Sequence, residues 1–134
     1  MLLVKQKYID QIIKQARKGY PKEVCGIIAG KDGAVTEIYE MVNVSETPET
    51  FYFMESQEQF KVLKDMRNLG LEMMGIYHSH PVSRAYPSEE DCRMCFYPDA
   101  FYMIVSLKNF DEPVIGVFKV KENIISEEGI EINE

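Results

Sequence analysis

Two histidines stand two residues apart in the segment YHSHPVSRAYPSEEDC, residues 77–92, and the chain contains no others. In an extended backbone, residues i and i+2 point to the same side, so His78 and His80 can present ring nitrogens to one point. Pro81 favours this conformation because it biases the preceding residue towards extended angles. Short histidine pairs also occur in ordinary surface loops. The pair alone therefore leaves both a metal site and a plain loop open.

The acidic end of the same segment also has two interpretations. Ser88 followed three residues later by Asp91 is a helix-start signal, in which side chains bond the free N–H groups of the first turn. Glu89 and Glu90 fit this interpretation because acidic side chains stabilise the positive end of the helix dipole. An aspartate in the first turn can also face a loop packed over that end. Two histidines and one aspartate would supply three protein ligands, which is the number found at a zinc ion that keeps its fourth position for water.

Hydrolysis at such a metal ion requires a base for the proton of the water, and Glu23 is the candidate. It enters an otherwise apolar strand in the segment PKEVCGIIAG, where its carboxylate can reach a central site. Taken alone, the segment is also explained by a solvated glutamate at the start of a strand. A zinc ion with an open position lowers the pKa of its water to about 7 and polarises carbonyl groups. The combination predicts metal-assisted hydrolysis.

The order and spacing of these residues resemble the motif of the JAMM metalloproteases, also called MPN+ domains. The segments PKEVCGIIAG and GIYHSHP are also similar to the family's first strand and to its histidine-bearing strand and loop. The resemblance implies that one zinc ion per chain is bound by His78, His80 and Asp91. It further implies that Glu23 is the general base and that Ser88 donates a hydrogen bond to the oxyanion of the reaction.

The resemblance also implies a class of substrate. JAMM enzymes hydrolyse the amide bond after the C-terminal glycine of ubiquitin or ubiquitin-like proteins, and small family members resemble prokaryotic enzymes that trim a ubiquitin-fold sulfur-carrier protein. The chain is too short for the large insertions of eukaryotic deubiquitinases, so we expect a sulfur carrier or small modifier as substrate. Residues 51–53 and 82–86 are candidates for lining a groove for its extended Gly-Gly tail. A non-catalytic scaffold of the same fold and a zinc hydrolase of small amides are the alternatives.

The overall composition indicates a globular protein that acts neither on nucleic acid nor at a membrane. Its 134 residues fit one domain, which we predict to span residues 1–134. The net charge of −7 argues against sequence-independent binding to a phosphate backbone. No apolar run approaches the roughly 18 residues that cross a bilayer, and the N-terminus lacks the pattern of a signal peptide. We therefore expect a cytoplasmic location.

The three cysteines are too few for a disulfide framework, so we expect free thiols. Cys92-x-x-Cys95 has no second pair to complete a zinc ribbon, and its position in a helix favours core packing over a redox role. Cys25 lies two residues after Glu23, so it can line the site, although buried packing is its ordinary use.

The hydrophobic pattern predicts the elements that position these residues. Apolar residues at helical spacing predict a helix that ends near Gly19, a capping signal at Ser56 and Gln59 predicts a second over about 56–69, and a third begins near Ser88. Predicted strands cover residues 24–30, 35–42, 71–77, 101–107 and 114–120, with further candidates at 51–54 and 124–132. Helices and strands mix irregularly, which predicts an α/β (α+β) fold with a mixed β-sheet sandwiched by helices. The family resemblance implies the cytidine-deaminase-like JAMM/MPN fold.

Overall fold

The structure, a computed structural model that describes residues 1–134, contains one eight-stranded mixed sheet and three helices. The helices are α1 (Gln6–Gly19), α2 (Ser56–Asn68) and α3 (Glu89–Arg93). The strands are β1 (Leu2–Lys5), β2 (Cys25–Lys31), β3 (Ala34–Met41), β4 (Glu72–His80), β5 (Phe101–Ser106), β6 (Val114–Lys121), β7 (Ile124–Glu127) and β8 (Ile130–Asn133). Their order in the sheet is β7-β6-β5-β4-β2-β3-β1-β8. The pairs β4–β5, β1–β3 and β1–β8 are parallel, and the others are antiparallel.

The two long helices cover opposite faces of the sheet. Ile9, Ile12 and Ala16 of α1 belong to one buried cluster, which includes Ile28 of β2. The neighbouring residue Ile27 belongs to a second cluster, on the side of α2. Because successive residues of a strand point to opposite faces, β2 contributes to both cores and reads as an unbroken apolar run. The predicted mixed β-sheet sandwiched by helices is confirmed.

The strand predictions were wrong at the ends of the chain and in the segment 51–54. This segment forms only an isolated bridge, between Asn43 and Met54. The predicted strand 124–132 is divided at Glu128 and Gly129 into β7 and β8, which lie at opposite edges of the sheet. Two residues can connect the two edges because the sheet curls until they are adjacent. The N-terminal strand β1, which was not predicted, pairs with β8 and closes this side of the fold.

A tight turn and a helix cap occur where local residue types favour them. Asp32 and Gly33, between β2 and β3, have φ values of 53° and 81°, the positive angles that an Asp-Gly pair adopts in a tight hairpin turn. Helix α2 begins at Ser56, but its cap is Glu55, whose carboxylate accepts hydrogen bonds from the N–H groups of Gln57 and Glu58, both at 2.9 Å. None of the three helices has the length and apolar character needed to span a membrane.

The centre of the sheet positions the residues of interest. Strand β4 continues to His80, three residues beyond its predicted end, and lies between β2 and β5. Because β4 and β5 are parallel, their carboxyl ends lie side by side at one end of the strands, and from there the chain leads into α3. Strand β2, the neighbour of β4 on its other side, runs antiparallel to β4, so the amino end of β2 lies at the same end of the sheet.

We predict that Gly26→Ala destabilises the protein because of the tight packing between β2 and β4. Gly26 pairs with Tyr77, whose fully buried ring occupies the space that a Cβ atom at position 26 would enter. Tyr77 cannot easily yield, since its hydroxyl is hydrogen-bonded to Gln15 of α1. Urea denaturation should show a loss of about 2 kcal/mol in the free energy of unfolding, the usual cost of overpacking a core.

Gly129→Ala is the matched control. A Cβ atom at position 129 would meet only the side chain of Met1, at 3.6 Å, which is ordinary van der Waals contact. This variant should differ from the wild type by less than about 0.5 kcal/mol. Equal stabilities for the two variants would contradict the packing argument.

Candidate active site

The two histidines lie side by side at the carboxyl end of β4. Both are almost completely buried, with exposed fractions of 3% for His78 and 4% for His80, and both point to the face of the sheet that α2 covers. The two Nε2 atoms are 3.1 Å apart. The ring of His78 stacks on the buried ring of Tyr52, with centroids 4.6 Å apart and an interplanar angle of 25°. The two histidines therefore belong to the buried end of a strand and not to a surface loop.

Hydrogen bonding selects the nitrogen of His80 that faces the site. Its Nδ1 lies 2.8 Å from the carbonyl oxygen of Arg84, which can only accept, so the N–H is on Nδ1. In the neutral ring, Nε2 then carries a free electron pair directed at His78 and Asp91. This arrangement, in which the remote nitrogen donates to a carbonyl, is the usual support of a metal-binding histidine.

Asp91 reaches the histidines from the first turn of α3. Its Oδ2 atom lies 3.0 Å from Nε2 of His80 and 3.2 Å from Nε2 of His78. The predicted helix start is also present, since the N–H of Ser88 donates to Oδ2 of Asp91 at 2.9 Å and the N–H of Asp91 donates to Oγ of Ser88 at 3.0 Å. The capping box thus orients the carboxylate, and the two interpretations of this segment describe one structure.

The three converging atoms fit a metal ion. Burial disfavours the ionised form of Asp91, but hydrogen bonds from the Nε2 atoms of His78 and His80, in the ring forms that carry a proton there, hold the pKa of its carboxyl well below its usual range. An ionised carboxylate and free imidazole electron pairs within 3.2 Å of one another require a positive charge among them. Tetrahedral bonds of 2.0–2.1 Å separate neighbouring ligands by about 3.3 Å, close to the separations seen here.

The protonation of the histidines agrees with this requirement. Burial lowers the pKa of His78, which keeps its ring neutral and available as a ligand. For His80, burial works in the same direction, but hydrogen bonds to Asp91 and to the carbonyl of Arg84 outweigh it and raise the pKa. Without a metal ion, the site therefore attracts a proton to His80.

Glu23 is brought beside His80 by the pairing of β2 with β4. Cys25 is the register partner of His78, and the pairing continues past the end of β2 because Val24 and Ser79 exchange two hydrogen bonds, of 2.8 and 3.0 Å. If this register is extended by one residue, it places Glu23 opposite His80 and on the same face of the sheet, and the charges of His80 and Asp91 do act on the carboxyl of Glu23.

The backbone of Glu23 is also held from its other side. Its N–H donates to the carbonyl of Pro48 at 2.7 Å, and its carbonyl accepts from the amide of Asn43 at 2.9 Å. The side chain is 6% exposed and its Oε1 has no hydrogen-bond partner. Burial raises the pKa of Glu23 to about 8, and the negative charges of Asp91 and Glu90 act in the same direction, whereas His80 lowers it. The structure therefore has a buried carboxyl group near His80 and Asp91, with one oxygen free of hydrogen bonds.

Sequence reasoning missed the groups that support these residues. Ser79, between the two histidines, is fully buried and binds the N–H of Val24. Its position within the motif was a usable signal. The side chain of Asn43 bonds five backbone groups and orders the segment 43–53. A polar residue directly after the predicted strand 35–42 is a weak sign of this. The carbonyl of Arg84 has no residue-type signature.

The predicted groove residues have separate locations. Tyr52 is buried against His78, while Phe53 is 47% exposed and borders a largely apolar cavity of about 240 Å³. This cavity is shared with Met94, Phe96 and Tyr97, which follow α3. Of residues 82–86, all except Ala85 are exposed.

The cysteines are free thiols, as predicted. Cys25 is completely buried in the core on the side of α2, where burial raises the pKa of its thiol to about 12. Cys92 and Cys95 are only half-buried, so core packing describes them incompletely. The Sγ of Cys95 donates to the carbonyl of Asp91.

The fold and the three-ligand cluster define a domain of the JAB1/MPN class with a candidate metal centre. A JAB1/MPN domain protein of Archaeoglobus fulgidus, known from a crystal structure, has the same fold, with a TM-score of 0.68 and 19% identity over 100% of this chain and 98% of that one. A Desulfitobacterium hafniense protein known from a solution structure has a TM-score of 0.91 and 36% identity, over 100% of this chain and 94% of that one.

Sequence comparison narrows this class to one family. The chain belongs to the prokaryotic homologues of the JAB domain, Prok-JAB, whose family model matches residues 5–117. The CysO-cysteine peptidase of Mycobacterium tuberculosis is 30% identical over 136 residues, which cover 100% of this chain and 92% of that protein. The desampylase of Haloferax volcanii is 35% identical over 103 residues, which cover 72% of this chain and 74% of that protein. The predicted membership of the JAMM/MPN+ family is confirmed.

We predict that zinc stabilises this protein through Asp91. At a free concentration one hundred times the dissociation constant, zinc should stabilise the folded state by about 2.7 kcal/mol, which raises the melting temperature by roughly 10 °C. In Asp91→Asn, the neutral amide is a weaker ligand and the shift should fall to a few degrees. Thermal unfolding of metal-stripped protein with and without zinc, together with the metal content, gives the measurement.

Asp99→Asn provides the control, because it is the same substitution at an exposed position eight residues away. It should show the full zinc-dependent shift. The metal assignment is wrong if wild-type protein shows no shift or if the two variants respond equally.

Proposed function

We propose that this chain is a zinc-dependent peptidase or isopeptidase that hydrolyses the amide bond after the C-terminal Gly-Gly of a ubiquitin-like or sulfur-carrier protein. One observation carries the proposal: three converging ligand atoms lie 3.0–3.2 Å apart, and the buried carboxyl of Glu23 is close enough for the charges of His80 and Asp91 to shift its pKa. A base and a metal centre joined in this way are what hydrolysis of an amide requires.

His78, His80 and Asp91 would hold the zinc ion. Two imidazoles and one carboxylate suit zinc, and a site with three protein ligands keeps one position open, which is typical of catalytic and not of structural zinc. When bound, zinc supplies a water molecule of lowered pKa and polarises the substrate carbonyl. Burial of all three ligands excludes bulk water, so these interactions act in a medium of low polarity.

Glu23 would move the proton. It takes a proton from the attacking water on its unpaired Oε1 atom and later delivers it to the leaving amine. Burial raises its pKa to about 8 before metal loading, and the charge of a zinc ion beside it would lower that pKa and favour the ionised form that accepts a proton. The hydrogen bonds to Pro48 and Asn43 fix the backbone from which the carboxylate projects.

Ser88 would stabilise the oxyanion. Its Oγ atom already accepts a hydrogen bond from the N–H of Asp91, so its own hydroxyl proton remains available to a substrate. The hydrogen bond from Asp91 therefore orients the hydroxyl of Ser88 and leaves its proton free to donate. Such donors contribute roughly 3 kcal/mol to the transition state in other hydrolases.

The substrate class is supported by the relatives. A CysO-cysteine peptidase and a desampylase stand among them, and the first matches the full length of this chain. The apolar cavity beside Tyr52 offers contact area for a substrate next to the site. The net charge of −7 supports a protein substrate over a nucleic acid. We further propose that residues 1–134 act as a single domain in the cytoplasm.

Glu23→Gln should abolish hydrolysis while leaving zinc binding intact, because it removes the base and none of the ligands. We expect kcat to fall by about 10²–10⁴-fold, the usual contribution of a positioned base. The assay incubates zinc-loaded protein with ubiquitin-like proteins of the host that carry C-terminal extensions and measures the products by intact mass. The wild-type protein should cleave these substrates after Gly-Gly.

Glu46→Gln, the same change at an exposed position, should retain full activity. Normal cleavage by Glu23→Gln would overturn the assignment of the base. Wild-type enzyme that cleaves only small amides, or nothing, would overturn the proposed substrate class.

Ser88→Ala should lower kcat by about 10²-fold because the oxyanion loses its donor. The substitution also removes a helix cap, which costs about 1 kcal/mol of stability. Glu55→Ala separates the two effects, since it removes the cap of α2 and touches nothing at the site. Steady-state kinetics should show full activity for Glu55→Ala, and equal losses in both variants would attribute the effect of Ser88 to stability alone.

A further inference from the structure

We infer that a cavity between the loops 81–88 and 107–113 binds a carboxylate of the substrate beside the metal centre. This inference rests on the proposed function, because it concerns the substrate of the same site. The cavity has a volume of about 590 Å³. Its polar wall consists of Arg84, Ser106, Lys108 and Asn109, and its apolar wall includes Phe110 and Val114.

The cavity is contiguous with the candidate active site. Arg84, which lines it, accepts the hydrogen bond that orients His80. Ser106, on the opposite wall, is the register partner of His80 in the parallel pair β4–β5, and the next residue, Leu107, donates its N–H to the carbonyl of His80 at 2.9 Å. Adjacent strands are about 4.8 Å apart, so the wall begins one strand away from a metal ligand.

The charges of the cavity favour an anion. No acidic residue lines it, and the guanidinium of Arg84 and the ammonium of Lys108 are both exposed. Neither has a carboxylate within 4.0 Å, because all ion pairs of the chain at that distance join a histidine to Asp91. The chain has 22 acidic residues and a net charge of −7, so two unpaired cations in one cavity are a local exception to its overall charge.

The side chain of Arg84 is supported on its flat side. Its guanidinium carbon lies 4.6 Å from the ring centroid of Tyr86, and that ring packs edge-on against Phe118 at 5.4 Å. Stacking on an aromatic ring restrains the plane of a guanidinium while its N–H groups stay free at the edge. The edge can therefore bind a planar anion with little loss of conformational freedom.

The two loops that form the walls are held together. The hydroxyl of Ser106 donates to the carbonyl of Ser83 in the first loop and accepts from the N–H of Lys108 in the second. Arg17 of α1 donates to the carbonyl of Phe110 at 3.2 Å and so anchors the second loop to the helix. The cavity is thus shaped before a ligand binds, which reduces the cost of binding.

A carboxylate is the anion that a protein substrate supplies at this position. The guanidinium fork of Arg84 matches its two oxygens, and Lys108 and Asn109 offer further donors. Two positions of the proposed substrate are possible sources of this carboxylate. One is the α-carboxylate of a single amino acid as leaving group, next to the cleaved amide, and the other is an acidic side chain just before the Gly-Gly of the carrier, on the other side of the bond.

Peptide binding to zinc-loaded protein distinguishes these sources. Glu23→Gln serves as the background so that peptides remain intact. The first pair of probes is acetyl-Gly-Gly-Cys and its C-terminal amide, and the second is acetyl-Glu-Gly-Gly-amide and acetyl-Gln-Gly-Gly-amide. In the pair that contains the true source, we expect the carboxylate to bind about tenfold more tightly and to shift the backbone amide resonances of Lys108 and Asn109.

Arg84→Gln and Lys108→Gln together should remove this preference, and Arg84→Lys should retain part of it, since it keeps the charge but not the fork. Lys31→Gln, at the far end of β2, is the control and should leave it unchanged. A preference of less than twofold in both pairs, or one that persists in the double variant, would overturn the inference.

The two proposals fail separately. A zinc-loaded wild-type protein that cleaves no carrier conjugate contradicts the proposed function, whereas the peptide affinities still decide whether the cavity binds a carboxylate. If conjugates are cleaved, the Arg84→Gln and Lys108→Gln double variant should raise KM about tenfold for the preferred substrate at unchanged kcat. Equal KM values for this variant and the wild type would count against the cavity alone.

Discussion

The candidate site depends on the register between β2 and β4. Cys25 pairs with His78, and the two hydrogen bonds between Val24 and Ser79 carry this register beyond the first residue of β2, which directs Glu23 towards His80. Because side chains alternate along a strand, a slip of one residue would turn Glu23 to the face covered by α1. The candidate base and a candidate metal ligand, which are more than fifty residues apart in the chain, are therefore aligned by the ordinary geometry of a sheet.

Burial of these polar groups opposes folding because it removes them from water. The buried atoms that lack a hydrogen-bond partner show where the protein bears this cost. Only two buried side-chain atoms lack a hydrogen-bond partner, Oε1 of Glu23 and Nδ1 of His78. Both belong to the candidate site. A structural role would favour complete pairing, since an unpaired buried polar atom costs about 1–3 kcal/mol. The free Oε1 of Glu23 indicates an atom kept available for a proton, whereas Nδ1 of His78 is the ring nitrogen on the side remote from Asp91.

The sequence signals for the candidate site are more local than those for the periphery of the fold. The ligand types and their spacing are local, and both the extended histidine segment and the capping box at Ser88 have direct sequence signals. The curl of the sheet is not local, and therefore the division of the tail between two opposite edges could not be predicted from residues 124–133. The stacking of Tyr52 on His78 and the carbonyl of Arg84 were missed for the same reason, because a contact formed by tertiary packing or by a backbone atom leaves no pattern in residue types.

The stability of helix α3 and the geometry of the candidate metal ligands depend on each other. A helix of five residues has little stability of its own, since nucleating a helical turn is unfavourable and only a few hydrogen bonds repay it. The capping box supplies part of the missing stability, and the contacts of Asp91 with His78 and His80 attach the first turn to β4. The same carboxylate oxygen accepts from Ser88, so the helix start and the ligand geometry cannot vary independently. Since the hydroxyl of Ser88 is fixed by the same box, the proposed oxyanion donor acquires its orientation when the ligand set forms.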